Sequence, residues 1–95
     1  MGLPKFQLPT KEVLLSDGSA VEVRGLTRYE ASKLYELKDA GKFQEIDPYL
    51  LACGTGVDIK ETEAWIKETP FSEVETLISA IIDLSGISPD AEKKE

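Results

Sequence analysis

The chain contains no histidine and a single cysteine, Cys53. Without histidine it has no imidazole to ligate a metal and no ordinary base to activate a cysteine or serine nucleophile. One cysteine cannot close an internal disulfide, which fits a reducing compartment. Basic residues are also scarce, 11 Lys and Arg against 18 Asp and Glu, for a net charge of −7. That balance argues against nucleic acid and anionic membrane as partners, because both are held mainly through cationic contacts to phosphate. No apolar run approaches ~18 residues and no basic stretch leads into an apolar one, so neither membrane spanning nor export is expected. What is present is 41% apolar residues over 95 positions, enough for one small core and too many for a disordered chain.

The most apolar stretch runs from Phe71 to Ile87. Val74, Leu77, Ile78, Ile81, Ile82 and Leu84 fall within an arc of about 160° at 100° per residue. A surface helix normally shows a stripe of roughly 100°. A helix over 73–85 is therefore expected to be wrapped by several neighbours, with Ser72 and Glu75 as a capping box, Gly86 ending it and Ile87 folding back. The arc's breadth also predicts self-association, with Ile82 and Leu84 at its two edges as candidate partner contacts.

Residues 1–10, with Pro4 and Pro9, read as an extended lead-in. Residues 11–24 read as a β-hairpin around Ser16-Asp17-Gly18. A two-residue loop would mix valine and glutamate on both faces. A three-residue loop with Gly18 left-handed pairs Val13 with Val21 and Leu15 with Ser19, gathering Val13, Leu15, Val21 and Val23 on one face. The second register is expected, with that face laid on helices because a lone hairpin is marginal in water. A helix over 28–40 follows, opened by Thr27 and Glu30 as a capping box and stopped by Gly41. Its inner stripe is Ala31, Leu34, Tyr35 and Leu37, with the Lys38 stem laid over apolar surface and Tyr29 on the opposite side. Asp47-Pro48 predicts a short helix over 48–53, broken by Gly54-Thr55-Gly56. Asp58 and Glu61 predict a helix over 59–68, with Ile59, Thr62, Trp65 and Ile66 on one side and Thr69-Pro70 at its end. Residues 88–95 read as a frayed polar tail. The chain is thus a single globular domain over 11–87, mainly α with a small N-terminal hairpin, a compact bundle of about four helices packed on it.

Chemistry-bearing patterns are few. Cys53-Gly54-Thr55-Gly56 resembles a phosphate loop only superficially, since Val57-Asp58 follows where Lys and Ser or Thr are needed. The Glu61, Glu63, Glu68, Glu73 and Glu75 carboxylates sit at capping or solvent positions rather than as a buried acid–base pair. Ser85 closes a helix, whereas a carrier-protein attachment serine opens one. No catalytic residue, metal or cofactor is expected. Trp65 reads as a core anchor or a partner contact, Tyr29 as a surface residue or a partner contact, and Arg24 and Arg28 as partners of surface acids.

Asp17-Gly18 with Val21–Arg28, then Leu50–Gly56, Glu63-Ala64-Trp65, and Pro70 with Glu73–Glu75, Leu77, Ala80-Ile81 and Leu84–Gly86 together span nearly the whole chain. In this order they resemble the small tail assembly chaperones of long-tailed bacteriophages. Pro48 departs from that pattern. The resemblance implies a non-enzymatic protein of the host-cell cytoplasm, absent from the mature virion, that binds the tape-measure protein and keeps it soluble until tail-tube subunits replace it. It also implies a longer form of the same chain made by programmed frameshifting, for which the Lys93-Lys94 codons are a candidate slippery site. Other readings are a head–tail connector or completion protein of the virion, and a small regulatory interaction domain.

Overall fold

The computed structural model describes residues 2–86. An antiparallel hairpin, β1 (Thr10–Leu14) and β2 (Ala20–Arg24), leads into four helices: α1 (Arg28–Asp39), α2 (Phe43–Thr55), α3 (Ile59–Glu68) and α4 (Phe71–Ser85). The architecture is the expected α+β one, a small hairpin and a compact four-helix bundle. The expectations for Ile87 and for residues 88–95 lie outside the described residues.

The hairpin takes the valine-segregating register. Val13 stands opposite Val21 and Glu12 opposite Glu22. Leu15 N–H donates to the Ser19 carbonyl at 2.9 Å, and Gly18 has φ 91°, the left-handed region a β-branched side chain resists. Asp17 Oδ1 accepts from the Ser19 N–H at 2.9 Å and from its hydroxyl, pinning the turn and lowering the carboxyl's pKa. Val13 and Val23 are buried, while Leu15 and Val21 are half-buried against the core.

Helix α1 opens as its cap predicts. Glu30 N–H donates to Thr27 Oγ1 at 3.1 Å and Thr27 N–H to Glu30 Oε1 at 3.0 Å. It ends in a Schellman turn, Lys42 N–H to the Leu37 carbonyl and Gly41 N–H to the Lys38 carbonyl, with Gly41 at φ 75°. The inner stripe is shallower than expected: α1 buries no residue and Tyr35 is 44% exposed.

Two helices, α2 and α4, differ in extent from expectation. Helix α2 covers Phe43–Thr55 rather than 48–53, with Pro48 inside it. The Schellman turn delivers the chain straight into a first turn closed by Glu45 N–H on the Lys42 carbonyl. Pro48 then removes one hydrogen bond near the helix start, and its ring is buried. Nor do the glycines break α2 together. Gly54 lies within the helix, buried against Ile81, and only Gly56, at φ 80°, ends it. Helix α4 begins at Phe71 rather than Glu73, directly after Pro70, and makes no Ser72–Glu75 box. The pre-proline residue Thr69 is extended (φ −110°, ψ 140°), so the helix starts as soon as Pro70 is passed. At α3, Asp58 caps the Lys60 N–H at 2.9 Å as a single bond, not the expected box with Glu61.

The core is Val13, Val23 and Leu26 from the hairpin and its exit, Leu50 and Leu51 of α2, and Val74, Leu77, Ile78, Ala80 and Ile81 of α4. Ile81 is fully inaccessible. Both ends of α4 are tied to the hairpin. The Glu73 carboxylate accepts from the Ser16 N–H and hydroxyl at the turn, and Ser85 Oγ accepts from the Leu26 N–H at 2.7 Å at the exit. The arc is mostly covered within the chain, with Ile82 and Leu84 half-buried on the core.

Candidate functional site

The hairpin's inner face and the α2–α4 pair leave a gap where α3 swings past them. Its hairpin wall is Leu15, Ser19 and Val21. Its floor is Leu51 and Thr55 of α2 with Leu77 of α4, and its far wall is Val57 with Glu61, Thr62 and Trp65 of α3. The result is an open groove of about 480 Å³, apolar in most of its lining. The polar groups inside it are already engaged. Thr62 Oγ1 donates to the Asp58 carbonyl at 3.0 Å and Thr55 Oγ1 to the Leu51 carbonyl at 2.6 Å, so neither hydroxyl proton needs a partner from the gap. Val57, 43% exposed, stands at the mouth, and exposed Glu61 is the charged residue of the lining. An apolar trough with an acidic edge suits an apolar or amphipathic segment carrying a positive charge.

Of the four residues singled out from sequence, only Trp65 lines this groove, half-buried and packed on the core, so the anchor and contact readings meet in one side chain. Tyr29 is 78% exposed on α1, outside the groove. Ile82 and Leu84 lie on α4, likewise outside it. Leu84 instead has its backbone against Gly25, where an added Cβ would meet the Leu84 carbonyl oxygen at 2.8 Å. Ser19, Leu51, Thr55, Val57, Glu61, Thr62 and Leu77 also line the groove, and the sequence marks none of them as a contact surface. Leu15 and Val21 were legible as a buried face but not as a wall.

A second cluster gathers at the junction of β2, α1 and α2. Arg24 Nη1 and Nη2 donate to the two Glu30 carboxylate oxygens at 3.0 and 2.9 Å, and Arg24 Nη1 also reaches the Gly25 carbonyl at 2.8 Å. The guanidinium, aided by the Thr27 N–H, holds the Glu30 carboxyl down to about 2 against the cost of burial. Next to this pair, burial pushes the Tyr49 hydroxyl up to about 12, with the Cys53 sulfur adding to the rise. Burial likewise raises the Cys53 thiol, with Glu30 opposing its ionisation. A thiol kept protonated next to a paired carboxylate is a structural arrangement, not an activated nucleophile. Among the described residues no group of three or more His, Cys, Asp and Glu could hold a metal ion, and no helix is long and apolar enough to cross a membrane.

No family model, no curated protein and no solved structure matches the chain.

Proposed function

We propose that this protein is a tail assembly chaperone of a long-tailed bacteriophage, which holds amphipathic segments of the tape-measure protein in the groove between its hairpin and α3. The groove is the observation that carries the reading: an open apolar trough with Trp65 in its wall and Glu61 at its edge, on a chain of net charge −7. A tape-measure protein is long, helical and rich in apolar faces, and would aggregate if released uncovered. Docking one face of such a helix excludes water from it, while the acidic exterior keeps the complex dispersed. The order of matching segments along the chain supports the same reading. In it the protein works in the host cytoplasm, gives way to tail-tube subunits and stays out of the mature particle, and a frameshifted longer form shares the domain.

Co-expression with a phage tape-measure protein tests this. The expected result is that the partner stays soluble and co-purifies with the chain, and that Val57→Asp, at the groove mouth, abolishes capture while the domain stays folded. A partner equally soluble without the chain would overturn the reading. Recovery of the protein from purified virions would favour the connector instead.

A further inference from the structure

Residues 2–9, GLPKFQLP, precede β1 and belong to no helix or strand. Leu3 is 91% exposed and Phe6 84% exposed, the most exposed large apolar side chains of the described residues. At the three-residue period of a proline-containing extended chain, these two fall on one edge about 9 Å apart. Lys5, between them, is the segment's one charge. The same molecule carries an apolar groove with Glu61 at its edge. We propose that the 2–9 arm of one copy docks in the groove between hairpin and α3 of a second copy, Leu3 and Phe6 entering the trough and Lys5 facing Glu61.

The geometry favours a second copy over the arm's own groove. The arm leaves at the base of the hairpin, where Thr10 pairs with Arg24 and the Pro9 carbonyl is held by the Gly25 N–H at 2.9 Å. The groove's hairpin wall, Leu15, Ser19 and Val21, is at the turn end, roughly 14 Å along the strand. To reach it the arm would have to reverse at Pro9, whose φ is locked by its ring and whose carbonyl is already engaged. With donor arm and acceptor groove at opposite ends, two copies side by side and antiparallel can exchange arms in a two-fold dimer, and copies in line join head-to-tail into chains or rings. An eight-residue arm buries less than a standard interface, so the association is weak and reversible. It goes beyond the chaperone reading and holds whatever else the groove binds.

The test is sedimentation equilibrium of the full chain over a hundredfold concentration range, with Trp65 fluorescence as a second readout. The expected result is concentration-dependent association, to a dimer or beyond. Phe6→Ser, at a side chain with almost no contacts, should weaken it roughly tenfold to a hundredfold without moving the melting temperature. Val57→Asp, at the other side of the contact, should do the same. A synthetic 2–9 peptide should shift the emission of Trp65, the sole tryptophan, in the Phe6→Ser chain and leave it unchanged in the Val57→Asp chain. A monomer throughout the range overturns the proposal, even if the peptide binds. So does association that survives Phe6→Ser, which would place another surface in the contact. If the self-association holds while no tape-measure partner is captured, this inference stands and the chaperone reading falls.

Discussion

Gly54→Ala tests the packing at the centre of the fold. An alanine Cβ at Gly54 would stand 2.7 Å from Ile81 Cγ1 and 3.1 Å from Cγ2, with Cδ1 closer still. Ile81 has no accessible surface, so its side chain has nowhere free to rotate. Overpacking a tight core by one methyl costs about 1–3 kcal/mol. Alanine is the better helix former by about 0.8–1 kcal/mol, and Gly54 lies inside α2, so this gain offsets part of the loss. The net expectation is a destabilisation of about 1 kcal/mol, or a melting temperature lower by roughly 4–8 °C for a domain of this size. Ile81→Val removes the closest carbon and alone costs about 0.5–1.5 kcal/mol. In the double variant the closest of the three contacts is gone while those to the two γ carbons remain, so the clash is eased in part and the two losses should fall short of adding by about 0.5 kcal/mol. Urea unfolding of the four proteins, with unchanged m-values, measures this. If Gly54→Ala stabilises by its full helix propensity and the cycle is additive, α2 and α4 do not touch at this point and the reasoning fails.

Two further outcomes follow from the hairpin and the ion pair. Gly18→Val, at φ 91°, should destabilise the domain by about 1–2 kcal/mol, and thermal melting checks it. Glu30, held near 2 by Arg24 from an ordinary 4.5, contributes stability that is complete above about 4.5 and is lost as pH falls towards about 2. Because Arg24 is partly open to solvent, that contribution is about 1–2 kcal/mol, and Glu30→Gln should flatten this segment of the stability–pH curve.

Features decided by neighbouring residues were legible in the sequence. Only one hairpin register puts four apolar side chains on one face, and the chain adopts it. The Thr27–Glu30 box works because donor and acceptor lie three residues apart, and Arg24 pairs with a nearby acid as expected. Expectations went astray where a strong local signal competed with tertiary context. Asp47-Pro48 looks like a helix start, but the turn at Gly41 had already set the backbone into a helix at Phe43, and a buried Pro48 is carried along. Ser72 and Glu75 have capping spacing, yet Pro70 starts α4 earlier and Glu73 is drawn to the Ser16 turn. The groove was the least legible feature. Its walls come from the hairpin, α2, α3 and α4, and nothing in a local pattern says that Val57 and Leu15 face one another across a gap.

The two long walls of that groove are fixed by different means. The hairpin is bound lengthwise to α4, by Ser16 with Glu73 at the turn and Leu26 with Ser85 at the exit. Helix α3 packs principally on α2. The gap between the walls is therefore set by how α2 sits on α4 and on β2, and on the α4 side that depth is set where Gly54 lets Ile81 approach the α2 backbone. Leu51 and Leu77, which both line the floor, flank this crossing at three and four residues on the two helices. A bulkier residue at Gly54 would lift α2 and carry α3 outward, widening the trough as well as loosening the core. The absence of a side chain at one buried position thus links the stability of the bundle to the shape of the surface it offers.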